Sequence, residues 1–220
     1  MDHFAPIRNE QAYIMPMCFL SGIDTRPTDA YWTSSWSHFG VSFYSHAMPL
    51  FFGISAEAIT NLMPDLTWID KTTLPEQLRS AASHRQRVKL VSGYLLEKLS
   101  KRRPDTVIQE IFSRRHDFDA WLLSKQHRLS ERQLQRRFKH NTGISFAKFN
   151  RILRFEKALS RLSAARYGDL TQLAYELGYA DQAHFIKDFS EFAGITPYTF
   201  VQQENLGGES SSFIYAADEA

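Results

Sequence analysis

Arg132, Gln135, Arg136 and Lys139 recur at three- and four-residue spacing, so a helix containing them presents two guanidiniums, an amide and an ammonium along one face. Guanidinium groups pair bidentately with the guanine edge and carboxamides with the adenine edge in the major groove of duplex DNA; lysine suits phosphate. A second cluster, Gln182, Ala183, His184, Ile186 and Lys187, offers an amide, an imidazole and an ammonium. Ile186 fits either a thymine methyl or the neighbouring helix, and packing is the simpler reading. These groups recognise an edge or an anion; they do not break bonds.

The elements that must hold them are duplicated. Shifting the chain by 51 residues lays Leu122 on Leu173, Ser130 on Asp181, Leu134 on Phe185 and Phe138 on Phe189, then Gly143-Ile144-Ser145 on Gly194-Ile195-Thr196. Such a repeat marks two copies of one supersecondary unit. Ser130 with Gln133, and Asp169 with Gln172, read as capping boxes, and Asp181 reads as an N-cap. Gly143, Gly178 and Gly194 stand where left-handed residues end helices, and Thr196-Pro197 starts a final one. Leu134 and Phe138, then Phe185, Phe189 and Phe192, form the buried faces. Between the copies, about 145–163 reads as one helix, with Phe149, Ile152, Leu153, Leu159 and Leu162 on one side and Lys148, Arg151, Arg154 and Arg161 on another. Its length of roughly 27 Å approaches the ~34 Å between successive major grooves on one DNA face.

Charge supports this placement. Of 220 residues, positions 1–83 carry 4 Lys/Arg against 8 Asp/Glu, positions 84–203 carry 22 against 12, and positions 204–220 carry none against 4. A basic block between acidic ends suits a polyanion. Upstream, Tyr13 to Phe52 is rich in aromatic and β-branched residues, and Phe39-Gly40-Val41-Ser42-Phe43 alternates as a half-buried strand would. Leu74, Leu78 and Ala81, then Val88, Val91, Leu95 and Leu99, give amphipathic helices that end near Lys101-Arg102-Arg103-Pro104.

The phrases Leu129-Ser130-Glu131-Arg132-Gln133-Leu134-Gln135-Arg136-Arg137-Phe138 and Gly178-Tyr179-Ala180-Asp181-Gln182-Ala183-His184-Phe185, with Arg151-Ile152-Leu153-Arg154-Phe155 between them, resemble the AraC/XylS family of transcription regulators. The resemblance covers about 105–203. It implies base-facing roles for Arg132, Gln135 and Arg136 and for Gln182, His184 and Lys187. Backbone contacts are expected from Ser130, Lys139, Lys148, Arg151 and Arg154. One departure is the first turn, Gln126-His127-Arg128, where the second copy has Leu177-Gly178-Tyr179 and His must take the left-handed position. Another is Leu123, placed where the second copy has the small Ala174. Phe39 to Leu62 also resembles the end of a β-rich sensor domain.

The expected fold is therefore α+β: a small β-rich N-terminal region over 1–70, a partial sensor or dimerisation region with a truncated barrel as one form, amphipathic helices and linker over 71–104, an all-α DNA-binding domain of two helix-turn-helix units joined by a long helix over 105–203 and a flexible acidic tail over 204–220. The expected partners are double-stranded DNA, RNA polymerase and a second copy of the chain paired through 75–101, with a small-molecule effector left open. The alternative is a protein-interaction or dimerisation module controlling another regulator.

No enzyme class finds support. One cysteine, Cys18, precludes an internal disulfide framework and a thiolate zinc cluster, and the histidines show no ligand spacing. Gly53-Ile54-Ser55-Ala56 lacks the second glycine of a nucleophile elbow, and no phosphate-cradling or dinucleotide loop is present. No cofactor or metal is expected. The absence of an apolar run of about 18 residues and of an export signal makes a cytoplasmic location the expectation.

Overall fold

A computed structural model of the chain describes residues 4–8, 11–12, 15–32, 38–113, 120–164 and 168–202. They fall into two compact units, one of 1–24 with 28–146 and one of 25–27 with 147–220. Among the described residues no helix is long and apolar enough to cross a membrane.

The expectation of a β-rich N-terminal region is overturned. Its described strands, β1 (Phe4–Arg8), β2 (Gln11–Ala12) and β3 (Asp29–Trp32), make one antiparallel sheet in the order β2-β1-β3, and helices take over from residue 48. These are α1 (Met48–Phe52), the 3-10 turn Ala56–Ile59, α2 (Leu66–Ile69), α3 (Leu74–Ser80) and α4 (His84–Ser100). Phe39–Phe43 is not a strand. Only Phe39 and Phe43 pack against the core, four residues apart, while Val41 is exposed. Their rings lean on His84 and on Phe51 and Phe52, so the aromatic spacing serves helix packing rather than a pleat. Pro49 stands in the first turn of α1, where its missing N–H leaves no bond unmade, and starts a helix in an apolar stretch.

The core here gathers Leu20, Met48, Phe52, Ile59, Leu66, Leu74 and Val91. Residues 18–22 run antiparallel to 62–66: Leu20 N donates to Pro64 O, Gly22 N to Leu62 O and Leu66 N to Cys18 O, each at 3.0 Å. That pairing ties residues 18–22 to the segment that follows the 3-10 turn.

The first unit continues through α5 (Thr106–Ser113), α6 (Ala120–Gln126) and α7 (Glu131–Thr142). The second contains α8 (Phe146–Ser163) from residue 147 onward, then α9 (Leu170–Glu176), α10 (Gln182–Ala193) and α11 (Pro197–Gln202). Its core includes Ala158, Leu162, Leu173, Ala174, Phe185, Phe189 and Phe200. The acidic tail expected over 204–220 lies outside the described residues.

Candidate nucleic-acid interface

The start of α7 is fixed as the sequence predicts. Ser130 N donates to Gln133 Oε1 at 2.7 Å and Gln133 N donates back to Ser130 Oγ at 3.2 Å, closing a capping box. Gly143, at φ 84°, ends the helix in the left-handed region. Leu134 and Phe138 are buried at 1% and 0% exposure, with the Phe138 ring stacked on Phe146 at 3.8 Å. Anchoring that face turns the other outward. Arg132, Gln135, Arg136 and Lys139 are all exposed along it. Arg132 and Arg136 have no ion-pair partner among the described residues, whereas Lys139 pairs with Glu57.

The duplication is real but not gap-free. In the first copy His127 N donates to Leu123 O, Arg128 N to Lys125 O and Leu129 N to Ser124 O. In the second, Leu177 N donates to Leu173 O, Gly178 N to Tyr175 O and Tyr179 N to Ala174 O. Up to the turn the copies therefore differ by 50 positions, and one extra residue, Ala180, restores the 51-residue offset at the N-caps. Arg128, not His127, takes the left-handed conformation, at φ 53°. Ser124, buried at 2% exposure, is the small counterpart of Ala174. Leu123 matches Leu173 and is fully buried, while Leu122 is 42% exposed.

In the second unit, Asp169 and Asp181 cap α9 and α10, their carboxylates accepting from Gln172 N and His184 N at 2.7 Å. Ala183, His184 and Lys187 are exposed on α10, while Gln182 is half-buried and its Oε1 accepts from Thr171 Oγ1 at 3.0 Å. Ile186 packs against the core.

Three of the residues expected to meet the DNA backbone have other engagements. Arg151 Nε donates to Asp188 Oδ1 at 2.6 Å and its Nη2 pairs with Glu191; Lys148 Nζ meets Glu191 at 2.7 Å. Arg154 lies over the Tyr179 ring, 4.8 Å from its centroid. The periodicity of α8 put these cations on its polar side but could not show that Asp188 and Glu191 of α10 answer two of them. Asp188, 4% exposed, also accepts from the Tyr179 hydroxyl at 2.9 Å. Burial first, then that carboxylate, hold the Tyr179 phenol protonated well above its ordinary range. A signal existed, since Asp188 sits between Phe185 and Phe189 on the buried side of α10. Ser130, the other expected backbone contact besides Lys139, is exposed at the start of α7.

Arg151, and after it Lys148, pull the Glu191 carboxyl from 4.5 down to about 2. A group whose folded pKa is depressed contributes stability above its unfolded pKa and loses it as pH falls through the folded one. The thermal midpoint should accordingly fall between about pH 4.5 and 2, and Glu191→Gln should flatten that dependence in melts followed by circular dichroism.

A helix-turn-helix domain family model matches residues 123–203. No curated protein sequence matches the chain significantly. Among solved structures, the C-terminal domain of AraT, a response regulator from Geobacillus stearothermophilus, is 23% identical and aligns over 44% of this chain and 79% of that one, with a TM-score of 0.35. The transcriptional regulator CdpR from Pseudomonas aeruginosa is 23% identical over 60% of this chain and 36% of that one, with a TM-score of 0.33. ToxT from Vibrio cholerae O395 is 14% identical over 61% and 58%, with a TM-score of 0.35. The chain thus spans about a third of CdpR and somewhat over half of ToxT. With its caps, repeat and family match, the segment 123–203 is a helix-turn-helix domain.

Proposed function

We propose that the protein regulates transcription by reading a specific duplex sequence with α7 and α10. The observation that carries this is the exposed stripe Arg132, Gln135 and Arg136, held outward by the fully buried Phe138 and by a capping box. Base contacts fall to those three and to Gln182, His184 and Lys187, with the exposed Ser130 hydroxyl available to a phosphate. Insertion of both helices into successive major grooves is supported by the length of α8, 18 residues or roughly 27 Å.

Selection of sites from a random oligonucleotide pool tests the reading, and should return either two short conserved blocks about one helical turn apart or a single block if one helix dominates. Recovery of no preferred sequence would defeat it. Arg136→Ala is expected to weaken the selected site by ~1–3 kcal/mol, relax preference at one base pair and leave random duplex almost unaffected. Equal losses on both duplexes would remove Arg136 from base reading.

A second role, self-association, is favoured by α4. Val88, Leu96 and Leu99 are 43%, 65% and 40% exposed at helical spacing, and pairing with the same face of a second copy would cover them. Leu96→Glu is expected to shift the chain to monomer in sedimentation equilibrium. An unchanged mass would exclude α4 as the interface.

A further inference from the structure

The outer stripe of α7 does not run uninterrupted into solvent. At its C-terminal end the 3-10 turn Ala56–Ile59 is stitched to the helix by three separate contacts. Ser55 Oγ donates to His140 O at 3.2 Å, Thr60 Oγ1 donates to Gly143 O at 3.0 Å, and the Glu57 carboxylate pairs with the Lys139 ammonium. The approach is close: a Cβ on Gly143 would stand 2.4 Å from Thr60 Oγ1 and 3.0 Å from Ala56 O. The main chain of Glu57 is anchored from behind, its backbone N–H donating to Ser55 Oγ at 3.3 Å. A carboxylate thus stands at the end of the face that carries Arg132, Gln135 and Arg136.

The ion pair adds little to stability. Both side chains are about half exposed, at 47% for Lys139 and 51% for Glu57, and exposed pairs are worth about 0–1 kcal/mol. Its larger consequence concerns an approaching polyanion. Lys139 follows Arg136 by three residues and Arg132 by seven, so it is the natural phosphate contact beside the base-reading groups. To serve as one it must leave Glu57, whose charge then remains next to the phosphate.

Resting on the DNA-binding reading above, we propose that Glu57 is a positioning residue that withholds Lys139 from DNA phosphate and so limits the sequence-independent affinity of the recognition face. Phosphate contacts act alike on every sequence and set the salt dependence of binding. One fewer makes α7 lean on its base contacts for affinity.

The test is a cycle of Glu57→Gln, Lys139→Met and the double variant in the full chain, titrated against a random-sequence duplex and a selected duplex over a range of salt. Glu57→Gln changes an exposed side chain in charge alone. It is expected to tighten random-duplex binding roughly three- to ten-fold at low salt and to steepen the slope of log affinity against log salt by about 0.9, the release from one phosphate. Lys139→Met should leave both quantities near wild type, and the double variant should cancel the gain of Glu57→Gln. A role confined to holding the 3-10 turn would not move the salt slope. If Glu57→Gln binds with the wild-type slope, or if Lys139→Met weakens random-duplex binding as much alone as beside Glu57→Gln, the assignment is overturned while the DNA-binding reading stands. If the wild-type chain binds neither duplex at any salt, both are overturned.

Discussion

Arg151→Met is expected to destabilise the second unit by about 3 kcal/mol, seen as an earlier transition in denaturant. Asp188 is 4% exposed and receives its main charge compensation from Arg151; without it the carboxylate keeps the Tyr179 hydroxyl, a neutral donor. Removing one member of a buried pair strands the other, which costs more than the pair contributes. Methionine retains most of the aliphatic packing against Phe192, whose ring lies 5.1 Å below the guanidinium, so the loss reports on charge. Had Arg151 been a simple phosphate contact on a solvated helix face, its removal would have weakened DNA binding and left the melt unchanged. A variant as stable as wild type would return Arg151 to that role.

Gly22→Ala is expected to cost about 3 kcal/mol in the first unit, the upper part of the range for overpacking. A Cβ there would lie 1.8 Å from Ile59 O and 2.5 Å from Ile59 C, both backbone atoms at the end of the 3-10 turn, so no rotamer change relieves the clash. The turn must shift, and with it Glu57 and Thr60, which hold α7. Gly22→Ala should thus also raise random-duplex affinity in the fraction that folds, following Glu57→Gln. Wild-type stability for this variant would show that the approach of the two segments is looser than described.

The sequence made α7 legible almost completely. Its capping box, its terminal glycine and its two faces are local matters, set by bonds within four residues and by 3.6-residue periodicity, and tertiary contacts had little to alter. The strand reading of Phe39–Phe43 failed because aromatic residues at two- to four-residue spacing satisfy a pleated strand and a loop laid across helices equally well. What separates them is a hydrogen-bonded neighbour, and Phe39–Phe43 has none in a sheet. The first turn was misjudged by one position because an alignment anchored on the caps cannot reveal an insertion just before them; the hydrogen bonds of Arg128 and Leu129 reveal it.

Alone, the order of residues determined which helices form in the repeat, where they begin, and which side chains face away from their cores, since these follow from short-range sterics and burial. Folding in three dimensions decided which cations remain exposed to a partner. Coulombic pairing depends on distance through space, and the carboxylates that engage Arg151 and Lys139 lie 37 and 82 positions away in the chain.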